Sequence, residues 1–69
     1  MKFQIKSSNE PYFFETLNNI CFENEIAGPG QTTINRDGSS YVTIDLSDQF
    51  IYRLGQLDTS LVQRLKNIT

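Results

Sequence analysis

At 69 residues with no histidine, no tryptophan and one cysteine, Cys21, the chain has room for one domain and excludes an internal disulfide, the usual general base and histidine- or thiolate-rich metal sites. Eight acids against six bases give a net charge of −2, which argues against generic binding to nucleic acid, since that draws mainly on phosphate neutralisation by Lys and Arg. A domain this small buries only about 60% of its unfolded surface, and without a disulfide or metal the staple that remains is oligomerisation or docking onto a larger partner.

An apolar fraction of 38% with 12% aromatics is enough for a core and argues against disorder. No apolar run approaches the roughly 20 residues that span a bilayer. Met1 to Ile5 alternates where a signal peptide would be continuously apolar, so a cytoplasmic location with a reduced thiol is expected. The charge is unevenly spread. Ser7 to Asn35 holds Glu10, Glu15, Glu23 and Glu25 with no base, whereas Arg53 to Thr69 holds Arg53, Arg64 and Lys66 with one acid, Asp58.

In chain order, Met1 to Lys6 has the two-residue period of a half-buried strand. Ser7 to Pro11 reads as a helix start, with Ser8 or Asn9 placed to cap and Pro11 tolerated in the first turn. The helix is predicted to run to about Asn24, burying Phe13, Leu17, Ile20 and Cys21 on one stripe with Phe14 at its edge. Ala27-Gly28-Pro29-Gly30 is expected to stop it. Gln31 to Asn35 and Tyr41 to Leu46 are β-rich and flank Asn35-Arg36-Asp37-Gly38, a hairpin signal, with Val42, Ile44 and Leu46 facing one way.

Ser47 or Asp48 is placed to cap a further helix. Phe50, Leu54, Leu57, Leu61, Leu65 and Ile68 follow at helical spacing, interrupted near Gly55 to Asp58, where Asp58-Thr59-Ser60 resembles a fresh cap. Phe50 to Leu54 is also β-prone and has a strand alternative. The expected fold is a small two-layer α+β domain, βαββα, with a three-stranded antiparallel sheet of order 1-3-2 and helices packed on one face. Such a fold hosts many functions and names none.

Candidate chemistry is sparse. Asp45 with Asp48, or Glu23 with Glu25, are the possible acid/base pairs, but neither has an obvious neighbour to separate its pKa values. Cys21 sits on an apolar stripe without a histidine to activate it and reads as a small core hydrophobe. No Asp-x-Asp loop suggests a metal, and Gly28-Pro29-Gly30 is too short for a phosphate loop, so no metal or cofactor is expected. A histidine-free ribonuclease would draw on Tyr41, Tyr52, Arg53, Arg64 and Lys66, against the acidic balance. The outer sheet face, with Lys2, Gln4, Lys6, Tyr41 and Thr43, is the skeleton of a platform for single-stranded RNA, weakened by having one aromatic and Asp45 beside it.

The exposed side of the first helix is the favoured site. Tyr12, Glu15, Asn19, Phe22 and Glu23 lie away from the core stripe, and aromatics ringed by polar groups are what interface centres look like. Phe22 has a second reading, folded under the Gly28-Pro29-Gly30 loop as a satellite of the core. The expected function is a non-enzymatic protein-interaction module docking this acidic helix on a basic partner. Short, acidic, histidine-free chains of this type are typical of regulatory or inhibitory accessory proteins, including those made by phages. The alternatives are a single-stranded RNA regulator using Lys2, Lys6 and Tyr41, and a small homo-oligomeric structural protein; no membrane partner is expected.

Overall fold

Alternating side chains give each strand one wet and one dry face, and that alternation builds the sheet. The structure, a computed structural model, describes residues 1–68. Strands β1 (Lys2–Lys6), β2 (Thr32–Asn35) and β3 (Tyr41–Leu46) form an antiparallel sheet of order β1-β3-β2, as the sequence predicts. The register sets Phe3 against Ile44 and Ile5 against Val42 on one side of β3, and Ile34 against Ile44 on the other. β1 and β2 run in the same direction with β3 between them, so the chain crosses over through helix α1 (Glu10–Glu23). Helices α2 (Asp48–Leu57) and α3 (Ser60–Lys66) complete the layer.

Phe13, Leu17, Ile20 and Cys21 of α1 are buried together with Phe50, Leu54, Leu61 and Leu65 of the later helices and the inward residues of the strands. They form one hydrophobic cluster, with no buried polar or charged residue in it among the described residues. The opposite face of the sheet stays wet. Phe50 to Leu54 is helical: the Ser47 Oγ accepts the Phe50 amide at 3.2 Å and starts α2. Leu57 departs from the predicted stripe. It is the last residue of α2 and is 51% exposed, although it follows Phe50 and Leu54 at helical spacing; the extended Asp58 (φ −164, ψ 121) then breaks the helix where the sequence places the interruption.

The break at Asp58 is held by its own side chain. Asp58 Oδ1 accepts the Ser60 amide at 2.9 Å, and the backbone and hydroxyl hydrogen bonds from Ser60 hold its pKa below the ordinary carboxylate value. A pKa depressed by folding contributes stability that is complete above the unfolded value of about 3.9 and is lost as pH falls through the folded value. Denaturant midpoints between pH 5 and 2 should therefore fall less steeply in Asp58→Asn than in the parent protein; parallel profiles would mean the contact does nothing for the fold.

Helix α1 ends at Glu23 with Asn24 as its C-cap, where the sequence places it, but by different chemistry than the Gly28-Pro29-Gly30 run suggests. Glu25 adopts a left-handed conformation (φ 56) immediately after the C-cap Asn24. Its amide donates to Phe22 O at 3.3 Å and the Ile26 amide donates to Cys21 O at 2.8 Å, the paired bonds of a Schellman motif. Ile26 and Cys21, which this motif brings together, are both buried. The motif favours glycine where the chain has Glu25, and a side chain there costs about 1–2 kcal/mol. Part of that is offset by the greater unfolded-state freedom of glycine. Glu25→Gly should raise stability by about 0.5–1 kcal/mol, read as a higher urea midpoint; a lower midpoint would show that Glu25 makes a compensating contact.

Candidate interaction surface

Because α1 lies on the sheet with Phe13, Leu17, Ile20 and Cys21 inward, the helical period turns Tyr12, Glu15, Asn19, Phe22 and Glu23 outward along one arc. Tyr12 is 58% exposed and Phe22 is 86% exposed. Phe22 is thus no satellite of the core: the Schellman turn carries the chain away with Ile26, not Phe22, folded beneath it. Asn19 and Glu15 are also exposed, and Glu15 has no ion-pair partner among the described residues.

Helix α3 runs beside this arc and makes a groove with it. Tyr12, Glu15, Thr16 and Asn19 form one wall and Arg64 and Asn67 the other, around a volume of 410 Å³. Arg64 Nη1 reaches Glu23 Oε2 at 3.3 Å across the groove's end. Of the predicted site residues, Tyr12, Glu15 and Asn19 therefore line the groove, Glu23 is paired at its end, and Phe22 stands one helical turn beyond Asn19. Thr16, Arg64 and Asn67 complete the surface and were not part of the sequence expectation. Glu10, the remaining acid of the first turn, is set apart by a 2.7 Å ion pair with Arg36 and is only 20% exposed.

The outer sheet face assembles partly as expected. Lys6 lies directly opposite Tyr41, which is 46% exposed, and Gln4 lies opposite Thr43. Lys2 lies opposite Asp45, whose charge opposes the lysine's attraction for phosphate. The five residues weighed for ribonuclease chemistry are dispersed. Tyr41 is on the outer sheet face, Arg64 lines the groove of α1 and α3, and Arg53 lines a separate hollow with Gly28, Gln31 and Ser47.

The candidate carboxylate pairs are also accounted for by local contacts. Asp45 and Asp48 flank the Met1 ammonium at 3.2 Å and 3.0 Å, and the Asp48 hydrogen bond is the chief reason that the ammonium's pKa is raised. Glu23 faces Arg64, while Glu25 occupies the helix terminus. Among the described residues no three His, Cys, Asp or Glu side chains cluster as metal ligands, and no helix is long and apolar enough to cross a membrane.

Burial pushes the Cys21 thiol pKa up, which keeps it protonated and unreactive at neutral pH. Ellman's reagent should consequently label Cys21 slowly in the native protein and within the mixing time in guanidinium chloride. Rapid native labelling would mean that the end of α1 opens readily. No known protein family, curated protein or solved structure matches this chain.

Proposed function

We propose that the protein is a non-enzymatic interaction module, a small regulatory or inhibitory accessory protein that docks the outer face of α1 on a basic surface of a protein partner. The observation that carries this reading is Phe22, 86% exposed on a helix face that bears Glu15 and Glu23 and no base. A large aromatic left in water beside polar groups gains more from burial in a partner than any other residue of that face. The charge around it selects the partner's sign and speeds encounter.

Self-association through the same face is disfavoured by charge. An antiparallel pairing of two α1 helices centred on Asn19 would set Glu15 of each copy against Glu23 of the other. The outer sheet face offers the second reading, because Lys6 and Tyr41 are neighbours there, but a single aromatic gives it little stacking area.

The test is capture from a lysate of the cells that make the protein, using tagged parent protein beside Phe22→Ala and Glu15→Lys. A partner retained by the parent and lost by both folded variants supports the reading. Equal capture by all three sinks it. Recovery of single-stranded RNA that depends on Lys2, Lys6 and Tyr41 would transfer the function to the sheet.

A further inference from the structure

The two edges of the sheet, β1 and β2, are built differently, and the phase of the central strand shows how. Met1 and Leu46 exchange both backbone bonds: the Met1 ammonium donates to Leu46 O at 2.7 Å and the Leu46 amide to Met1 O at 2.9 Å. In step with them, the Ser7 amide donates to Ser40 O at 2.8 Å. In an antiparallel ladder such pairs recur at every second residue, so Val42, Ile44 and Leu46 turn their peptide groups toward β1 and Thr43 and Asp45 turn theirs toward β2. Thr33 and Asn35 are therefore the residues of β2 that bond β3. The N–H and C=O groups of Thr32 and Ile34 point out of the sheet, and no other backbone group among the described residues meets them. By the same phase, Lys2, Gln4 and Lys6 turn their peptide groups outward from β1.

Only one of these edges is guarded. Two copies pairing antiparallel through β1 about Gln4 would set Lys2 of each against Lys6 of the other. Like charges directly opposite are destabilising, and charged edge strands are a common protection against such pairing. β2 is Thr32-Thr33-Ile34-Asn35, which has no charge and no proline, and its register with β3 runs without a bulge. Ile34, opposite Ile44 on the core side, is only half-buried where the sheet stops.

We infer that β2 pairs antiparallel with β2 of a second copy about a two-fold axis at Thr33, joining the two sheets into one. Centred there, Thr32 of each copy lies opposite Ile34 of the other, and each such pair exchanges both of its outward bonds. The pleats agree as well: Thr32 and Ile34 of both copies share the core side, and Thr33 meets Thr33 on the exposed side. No like charges are brought together, because Arg36 falls opposite Gly30 and Asp37 opposite Pro29. A second copy fits this edge because one contact satisfies both copies at once. The edges left on the joined sheet are the lysine-bearing β1 strands, so assembly stops at two. This pairing makes no use of Phe22 and stands independently of the docking role of α1.

Sedimentation equilibrium of the parent protein from about 10 µM to about 1 mM covers the range expected of so short a contact. The mass should rise from 7.9 kDa toward twice that value and no further. Thr33→Lys sets like charges across the axis and should weaken the dimer about five-fold. Asn35→Lys adds the same charge to the same exposed side, opposite Gln31, and should weaken it less than about two-fold. Thr33 would occupy a non-hydrogen-bonded pair, with Cα atoms about 4.5 Å apart, within disulfide reach. Thr33→Cys should thus form a covalent dimer on mild oxidation several times faster than Asn35→Cys, with the buried Cys21 taking no part.

A mass of 7.9 kDa throughout, or masses beyond the dimer, would overturn the pairing. Equal weakening by the two lysines, or equal linking by the two cysteines, would overturn it as well. A dimer abolished by Phe22→Ala and spared by Thr33→Lys would also overturn it, and would move self-association to α1.

Discussion

Phe13→Ala should leave the domain unfolded or close to its midpoint at room temperature. Phe13 is fully buried, with its ring 5.4 Å from that of Phe3 and 5.7 Å from that of Phe14, so it joins the first strand to the first helix. Truncating a buried phenylalanine to alanine costs about 3–5 kcal/mol. Tilted and edge-on aromatic pairs add about 0.5–1.5 kcal/mol beyond area burial. At roughly 0.05–0.15 kcal/mol per residue, a chain of this length has about 3–10 kcal/mol in total. The loss is therefore comparable with the whole. Circular dichroism across a urea titration reads it directly, and Phe13→Leu should show a smaller loss because the cavity is smaller. A drop of under about 1 kcal/mol for the alanine variant would mean that β1 and α1 close over the gap, and that this contact is not the centre of the core.

That Phe13 could be placed in the core from sequence follows from periodicity. Alternation in Lys2–Lys6 and Tyr41–Leu46 and the stripe of α1 leave one arrangement that buries all apolar positions together, and the sheet order follows. Phe50-Ile51-Tyr52 was ambiguous because β-prone composition and helical spacing coincide there. The Ser47 cap on the Phe50 amide decides in favour of helix. Leu57 departs from expectation because periodicity places it on the face of Phe50 and Leu54 without saying whether anything reaches the last turn of α2 to cover it; Leu61 and Leu65, beyond the break at Asp58, are buried as the spacing predicts. The end of α1 near Asn24 is legible, but the residue that stops it is not: composition marks glycines, while the left-handed residue is Glu25.

The site divides along the same line. Tyr12, Glu15, Asn19, Phe22 and Glu23 share an arc by helical geometry alone, so they were legible. Arg64 and Asn67 are more than 40 residues from Glu23 and Asn19 respectively, and they meet the α1 face only through the packing of α3. Local pattern holds no information about that angle. The one available hint was the apolar spacing of Leu61 and Leu65, which turns Arg64 off the buried side without saying what it would face.

Phe22→Ala should separate folding from function more sharply than any other substitution. With 86% of Phe22 in water, its removal should change stability by less than about 0.5 kcal/mol. Glu15→Lys should behave likewise, since Glu15 is exposed and outside the core. Partner binding should respond very differently. An aromatic at the centre of a desolvated contact carries about 2 kcal/mol or more, near 30-fold in affinity. Glu15→Lys reverses a charge on the same face and should act chiefly on the association rate and its salt dependence. Tyr52 is the control: it is 69% exposed on α2, bonded to Gln56 at 3.2 Å and away from the α1 face, so Tyr52→Ala should leave capture unchanged. Loss with Phe22→Ala but not with Tyr52→Ala would locate binding on α1 and exclude a general response to exposed aromatics. Equal losses would point to nonspecific hydrophobic association, and the acidic helix would then have no special part in what the protein does.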